Sequence, residues 1–195
     1  MKPFFSIAII GLCLLFFASA CAGPKVLAEG EVQATSLSLE IRGKTWWTWR
    51  IDADGIKGNG VNLKRDGNVF FGFMASKPVR LRRMRDGDRE WLSTPAGNLT
   101  VKREVDGIFV AGMLNEQRIG AGWDGGLLLL SNPKINLGLK RGVDKQTLVD
   151  PEGEIRLVFQ GTDPDPILRR PEILWLLLRR VLTEAKSALA KPPMP

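Results

Sequence analysis

Five Asp-Gly pairs and one Asn-Gly pair divide the middle of the chain into short segments. The pairs are Asp54-Gly55, Asn59-Gly60, Asp66-Gly67, Asp86-Gly87, Asp106-Gly107 and Asp124-Gly125. Aspartate or asparagine followed by glycine accepts the positive φ angles of two-residue hairpin turns. The pairs therefore predict tight turns between antiparallel strands that follow one another along the chain.

Between these turns, apolar and polar residues alternate with the period of two that is typical of half-buried strands. Leu37, Leu39 and Ile41 share one predicted face. Three further segments, 69–74, 108–111 and 127–130, are apolar on both faces and need cover on both sides. We therefore predict a mainly β domain over residues 31–160, an antiparallel meander that forms a barrel or a sandwich.

One hydrophobic α-helix is predicted over residues 171–191, with a short tail at 192–195. Pro171 suits the first helical position, where its missing N–H costs nothing. The residues from Ile173 to Leu178 are apolar all round, which indicates that this part of the helix is buried. We expect it to pack on or into the β domain as part of the same domain. Residues 161–170 contain two Asp-Pro steps and predict a stiff, Pro-rich linker.

An antiparallel barrel followed by a hydrophobic C-terminal helix resembles, in architecture, the tubby-like barrels, which thread such a helix through the centre. The likeness covers the order of the elements in residues 31–191, and no sequence motif of that family is present. The resemblance implies a helix inside the barrel and a role connected with lipid.

Residues 1–20 predict an export signal. Lys2 precedes an apolar run that begins at Phe4 and ends in small residues, which is the layout of a secretory signal peptide. The segment Ala18-Ser19-Ala20-Cys21 resembles the bacterial lipobox, although that family prefers leucine where this chain has Ala18. The resemblance implies that Cys21 is acylated and that residues 21–30 form a lipidated N-terminus and tether.

The cellular location follows from the same few residues. By analogy with bacterial lipoproteins, Ala22 in place of aspartate implies a protein anchored in the outer membrane and facing the periplasm. Ordinary signal peptidase also accepts Ala18-Ser19-Ala20, so a secreted protein is the alternative.

The chain has no histidine, and this excludes Ser-His-Asp catalysis, Cys-His catalysis and imidazole metal ligands. Of its two cysteines, Cys13 falls within the predicted signal and Cys21 is the acylation site that the lipobox resemblance implies, so we expect the mature domain to lack a thiol. We predict no enzyme activity, no catalytic residue, no metal and no cofactor. A hydrolase that uses paired carboxylates, such as Asp163 and Asp165, is a less favoured alternative.

Arginines are concentrated in one predicted strand and turn. They are Arg80, Arg82, Arg83, Arg85 and Arg89. Strand periodicity places Arg80 and Arg82 on one face and Arg83 and Arg85 on the other. Guanidinium groups suit phosphates and carboxylates. A solvated edge strand is the alternative explanation of these charges.

The net charge of +7 favours anionic partners. After export these are anionic lipids and cell-wall polymers, and nucleic acid is not expected. The sequence thus predicts a non-enzymatic bacterial cell-envelope lipoprotein, with a binding or structural role toward anionic envelope components. A barrel that carries a lipid in its interior is the second hypothesis.

Overall fold

The structure is a computed structural model that describes residues 34–189. The predicted signal at 1–20, the tether at 21–30 with Cys21, and the tail at 192–195 lie outside the described residues. The described part of the chain forms one β domain with two helices at its C-terminal end.

Fourteen antiparallel strands form a closed barrel in which each strand pairs with its neighbours in the sequence and β1 pairs with β14. The strands are β1 Thr35–Ile41, β2 Lys44–Ile51, β3 Gly55–Gly58, β4 Val61–Asp66, β5 Val69–Met74, β6 Lys77–Asp86, β7 Arg89–Thr94, β8 Gly97–Arg103, β9 Ile108–Leu114, β10 Gln117–Trp123, β11 Leu127–Asn132, β12 Ile135–Arg141, β13 Thr147–Val149 and β14 Ile155–Gln160. The prediction of an antiparallel meander is confirmed, and the meander closes as a barrel.

Every predicted Asp-Gly and Asn-Gly pair lies at a connection between consecutive strands. Gly60 and Gly67, for example, have φ angles of 70° and 56°. The β5–β6 connection instead uses Ala75 and Ser76, both with positive φ, where the sequence contains no glycine signal. The two strands that it joins impose this geometry, because a two-residue hairpin with a type I′ turn needs positive φ at both central positions.

The meander gives the barrel two distinct ends. The upper end, where β1 begins, carries the turns that contain Asp54, Asp86 and Asp106, while the lower end carries the turns at Gly60 and Ala75. Strand β14 finishes at the upper end, so the chain begins its helical segment there.

Helix α2, Pro171–Leu189, runs through the barrel from the upper to the lower end. All side chains from Pro171 to Leu178 are buried. The helix contacts β1 and β9–β12 on one side, while Arg180 lies beside Gly60 between β3 and β4. An eight-stranded barrel is filled by its own side chains, whereas fourteen strands leave room for a helix about 10 Å wide. Neither described helix has an apolar stretch long enough to cross a bilayer.

The inward side chains of the strands and the apolar surface of α2 form one core. Leu37, Leu39 and Ile41 are buried as their alternation predicted. Trp47 and Trp49 stack inside the barrel with ring centroids 4.1 Å apart. Because α2 occupies the centre, a lipid-carrying barrel would first have to displace the helix, and this counts against the second hypothesis.

The segment expected as a linker differs from that expectation, because it contains helix α1, Pro164–Leu168. Asp163 is its N-cap and accepts a hydrogen bond from the backbone N–H of Asp165. Pro164 lies in the first turn, where a helix needs no backbone N–H from it. The two prolines therefore start a short helix that leads the chain over the upper end.

The described segment contains every strand of the closed barrel and the helix that fills it. Within the described residues, the buried hydrophobic core extends from Leu37 to Ala185. We therefore expect residues 34–195, called the barrel segment below, to fold on their own.

Candidate anion-binding site

The structure separates the five candidate arginines. Arg80 and Arg82 point outward from β6 and are exposed, while Leu81 between them is buried. Arg83 points inward, and its side chain is only 13% exposed. The two-face arrangement expected from periodicity is therefore present, and the two faces have different environments.

Arg83 belongs to an ion-pair cluster around the buried Glu90 at the upper end. Its Nε donates to Glu90 Oε1 at 2.6 Å, and Arg103 Nε donates to Glu90 Oε2 at 2.8 Å. Burial raises the pKa of Glu90, but the hydrogen bonds and charges of Arg103 and Arg83 outweigh that effect and leave the pKa below its ordinary value. Arg83 is thus committed to a buried partner, which removes it from any surface site for anions.

Arg85 and Arg89 also lie near the upper end, and both are exposed. Arg85 Nε donates to the carbonyl of Gly87 in the β6–β7 turn. The structure therefore does not bring the five arginines to one place, and only Arg80 and Arg82 share an outward face.

Two phenylalanines accompany these two arginines on the outside of the barrel. Phe71 and Phe73 on β5 are 42% and 58% exposed. Phe71 lies directly opposite Lys64 on β4 and Arg80 on β6. We call Lys64, Phe71, Phe73, Arg80 and Arg82 the basic-aromatic face. Among the described residues, no carboxylate forms an ion pair with its three cations.

This face explains part of the unusual pattern of β5. The segment 69–74 was expected to need cover on both sides, and Phe70 and Met74 indeed face the core. The outward phenylalanines remain exposed in the structure. Adjacent exposed aromatic side chains surrounded by cations are typical of a surface that binds another molecule or a membrane.

A cleft of about 290 Å³ opens at the lower end, where α2 emerges from the barrel. Four cations line it: Lys77, Arg80, Arg179 and Arg180. Its apolar wall includes Met74, Val79 and Trp175. Arg80 lines the cleft and also belongs to the basic-aromatic face, so the two features are neighbours. We call this feature the helix-exit cleft.

Only Arg80 of the cleft cations was among the predicted site residues. Arg179-Arg180 was visible in the sequence as an interruption of the apolar helix. Its place beside Lys77 depends on the depth to which α2 enters the barrel, and no local pattern specifies that depth.

The carboxylates that a hydrolase would require have structural partners. Asp165 accepts hydrogen bonds from Trp123 Nε1 and Arg169 Nε. Asp163 caps α1 and pairs with Arg141. Asp52 Oδ1 accepts hydrogen bonds from the backbone N–H groups of Asp54 and Gly55 in its own turn. Across residues 34–189, no group of three or more acidic or cysteine side chains is placed to hold a metal ion.

Comparison of the chain with protein-family models, curated protein sequences and solved structures finds no match. The resemblances to the lipobox and to the tubby-like barrels therefore stay predictions. The function has to be argued from the chain's own residues.

Proposed function

We propose that the chain is a non-enzymatic, lipid-anchored protein of the bacterial cell envelope whose barrel binds an anionic membrane surface. The observation that carries this proposal is the basic-aromatic face, in which exposed Phe71 and Phe73 lie among Lys64, Arg80 and Arg82. Transfer of an apolar side chain out of water lowers the free energy, and lipid phosphates attract the neighbouring cations.

The chemistry of the face favours a membrane over a soluble anion. A small polar anion would gain nothing from two exposed phenyl rings. A bilayer surface has apolar acyl chains below a layer of phosphates. The acyl chains can contact the phenylalanines while the phosphates bind the cations. The predicted acylation of Cys21 would hold the barrel close to such a surface, and a second weak contact would then be strengthened by proximity.

The membrane contact can be tested with the barrel segment and vesicles of phosphatidylcholine that contain 30% phosphatidylglycerol. The double variant Arg80→Glu/Arg82→Glu changes the charge of the face by four units. At about 1 kcal/mol for each charge near an anionic surface, we expect vesicle affinity to fall by at least 100-fold in co-sedimentation at low salt. Phe71→Ser/Phe73→Ser should weaken binding by about tenfold without changing the charge.

A matched control is available on the other side of the barrel. Arg118 on β10 and Lys140 on β12 are exposed and point outward. The variant Arg118→Glu/Lys140→Glu makes the same charge change away from the basic-aromatic face and should retain most of the binding. An equal loss in both double variants would mean that total charge alone drives association, and the proposed face would be wrong.

The anchor is tested separately in cells. Cys21→Ala removes the only thiol that the predicted lipobox can acylate. We expect the variant to incorporate no radiolabelled palmitate and to accumulate with its signal attached. The unaltered protein should also accumulate with its signal attached when lipoprotein signal peptidase is inhibited. Release of an unacylated product with unchanged processing would contradict the anchor and support the secreted alternative.

A further inference from the structure

We propose that the helix-exit cleft is a ligand site for an oxyanion that carries an apolar chain or ring. The cleft would bind a single small molecule, whereas the basic-aromatic face would contact a membrane surface, so this site is distinct from the proposed membrane contact. The two features share Arg80 but are otherwise built from different residues.

The positive charge of the cleft favours an anionic ligand. Lys77, Arg80, Arg179 and Arg180 line a space of about 290 Å³, and no acidic side chain is among the residues that line it. Arg180 is balanced in part by Glu184, 2.9 Å away on the next turn of α2. For the other three cations, no described carboxylate supplies an ion pair. Like charges that line one cleft repel one another, and a bound oxyanion reduces that repulsion.

The apolar walls of the cleft favour a ligand that also has an apolar portion. Met74, Val79 and Pro95 line the cleft together with Trp175, and most of its accessible surface is carbon. The Arg179 guanidinium lies over the Trp175 ring, with Cζ 5.7 Å from the ring centroid. Because the Trp175 ring is buried, the apolar contact for a ligand comes from half-buried Val79 and exposed Pro95, beside the Arg179 guanidinium that would bind its polar end.

The position of the cleft supports access by such a ligand. It lies at the mouth of the barrel, between the β5–β6 turn at Ala75 and the exposed residue Thr183 of α2. The ligand therefore need not enter the filled interior. A volume near 300 Å³ is at the small end of ligand sites, and it accommodates one head group with a short apolar segment.

The test uses the barrel segment and four soluble probes below their micellar concentrations. Octyl phosphate and octanoate carry the proposed combination and distinguish phosphate from carboxylate. Inorganic phosphate lacks the chain, and octyltrimethylammonium carries the opposite charge. We expect saturable binding of at least one octyl anion by isothermal titration calorimetry. Inorganic phosphate should bind at least tenfold more weakly, and the cation should not bind.

Variants locate the binding. Lys77→Glu/Arg179→Glu changes two exposed cations of the cleft and should reduce octyl-anion affinity by at least 30-fold. Lys134→Glu, at the β11–β12 turn of the same end, is the charge control and should change affinity by less than threefold. Phe71→Ser/Phe73→Ser should leave this binding intact while it weakens vesicle binding, so that the failure of one proposal is distinguishable from the failure of the other.

Three results would overturn the proposal. Equal affinity for octyltrimethylammonium would show that the chain binds by apolar contact alone. Equal affinity for inorganic phosphate would show that the apolar wall contributes nothing. An undiminished octyl-anion affinity in Lys77→Glu/Arg179→Glu would place the binding elsewhere on the barrel.

Discussion

Leu176→Asp is expected to unfold the barrel. Leu176 is fully buried in the part of α2 that fills the interior. Removing a buried leucine side chain costs about 2–5 kcal/mol, and burying an unpaired carboxylate adds several more. The sum is comparable to the entire stability of a typical domain, about 5–15 kcal/mol. Circular dichroism and chemical denaturation of the barrel segment should therefore show a chain without a cooperative transition.

Two substitutions on the same helix serve as controls. Thr183→Asp introduces the same carboxylate at an exposed position and should change the free energy of unfolding by less than about 1 kcal/mol. Leu176→Met keeps the volume and should cost less than about 1.5 kcal/mol. A stable, cooperative Leu176→Asp protein would mean that α2 does not fill the barrel in solution.

Gly72→Ala is expected to have the second large effect. Gly72 on β5 has a φ angle of 146°, which a residue with a side chain rarely adopts. A Cβ atom there would also overlap the backbone carbonyl oxygen of Asn62 on β4. Strain and overpacking together predict a loss of about 3 kcal/mol or more in the free energy of unfolding.

Gly120→Ala is the matched control for this substitution. Gly120 also lies within a strand, but the nearest atoms to a Cβ at this position are 3.8 Å away. Its backbone conformation suits any residue, so alanine there should be tolerated within about 0.5 kcal/mol. Similar denaturation midpoints for the two variants would contradict the close backbone approach between β4 and β5.

The fold could be predicted in outline because its local signals agree with one another. Asp-Gly turns specified the hairpins, alternation specified the inward faces, and the run from Ile173 to Leu178 identified a helix that must be covered on every side. Closure was not predictable, because alternation is the same in a barrel and a sandwich. It depends on the pairing of β1 with β14, whose residues lie far apart in the chain.

The candidate site was predicted less completely. Periodicity correctly separated Arg80 and Arg82 from Arg83, but the partner that draws Arg83 inward is Glu90, on the neighbouring strand. Such a pairing depends on register, which composition does not encode. The helix-exit cleft was missed because its cations come from β6 and from α2, which meet only in the finished barrel.

The seam between the first and last strands also determines when this protein can fold. Leu37 pairs with Phe159, and the helix that occupies the centre follows still later in the chain. A growing polypeptide therefore has no complete core until α2 has been synthesised, and pairings between such distant segments form slowly. Completion of the core therefore depends on a pairing between distant segments rather than on any single hairpin.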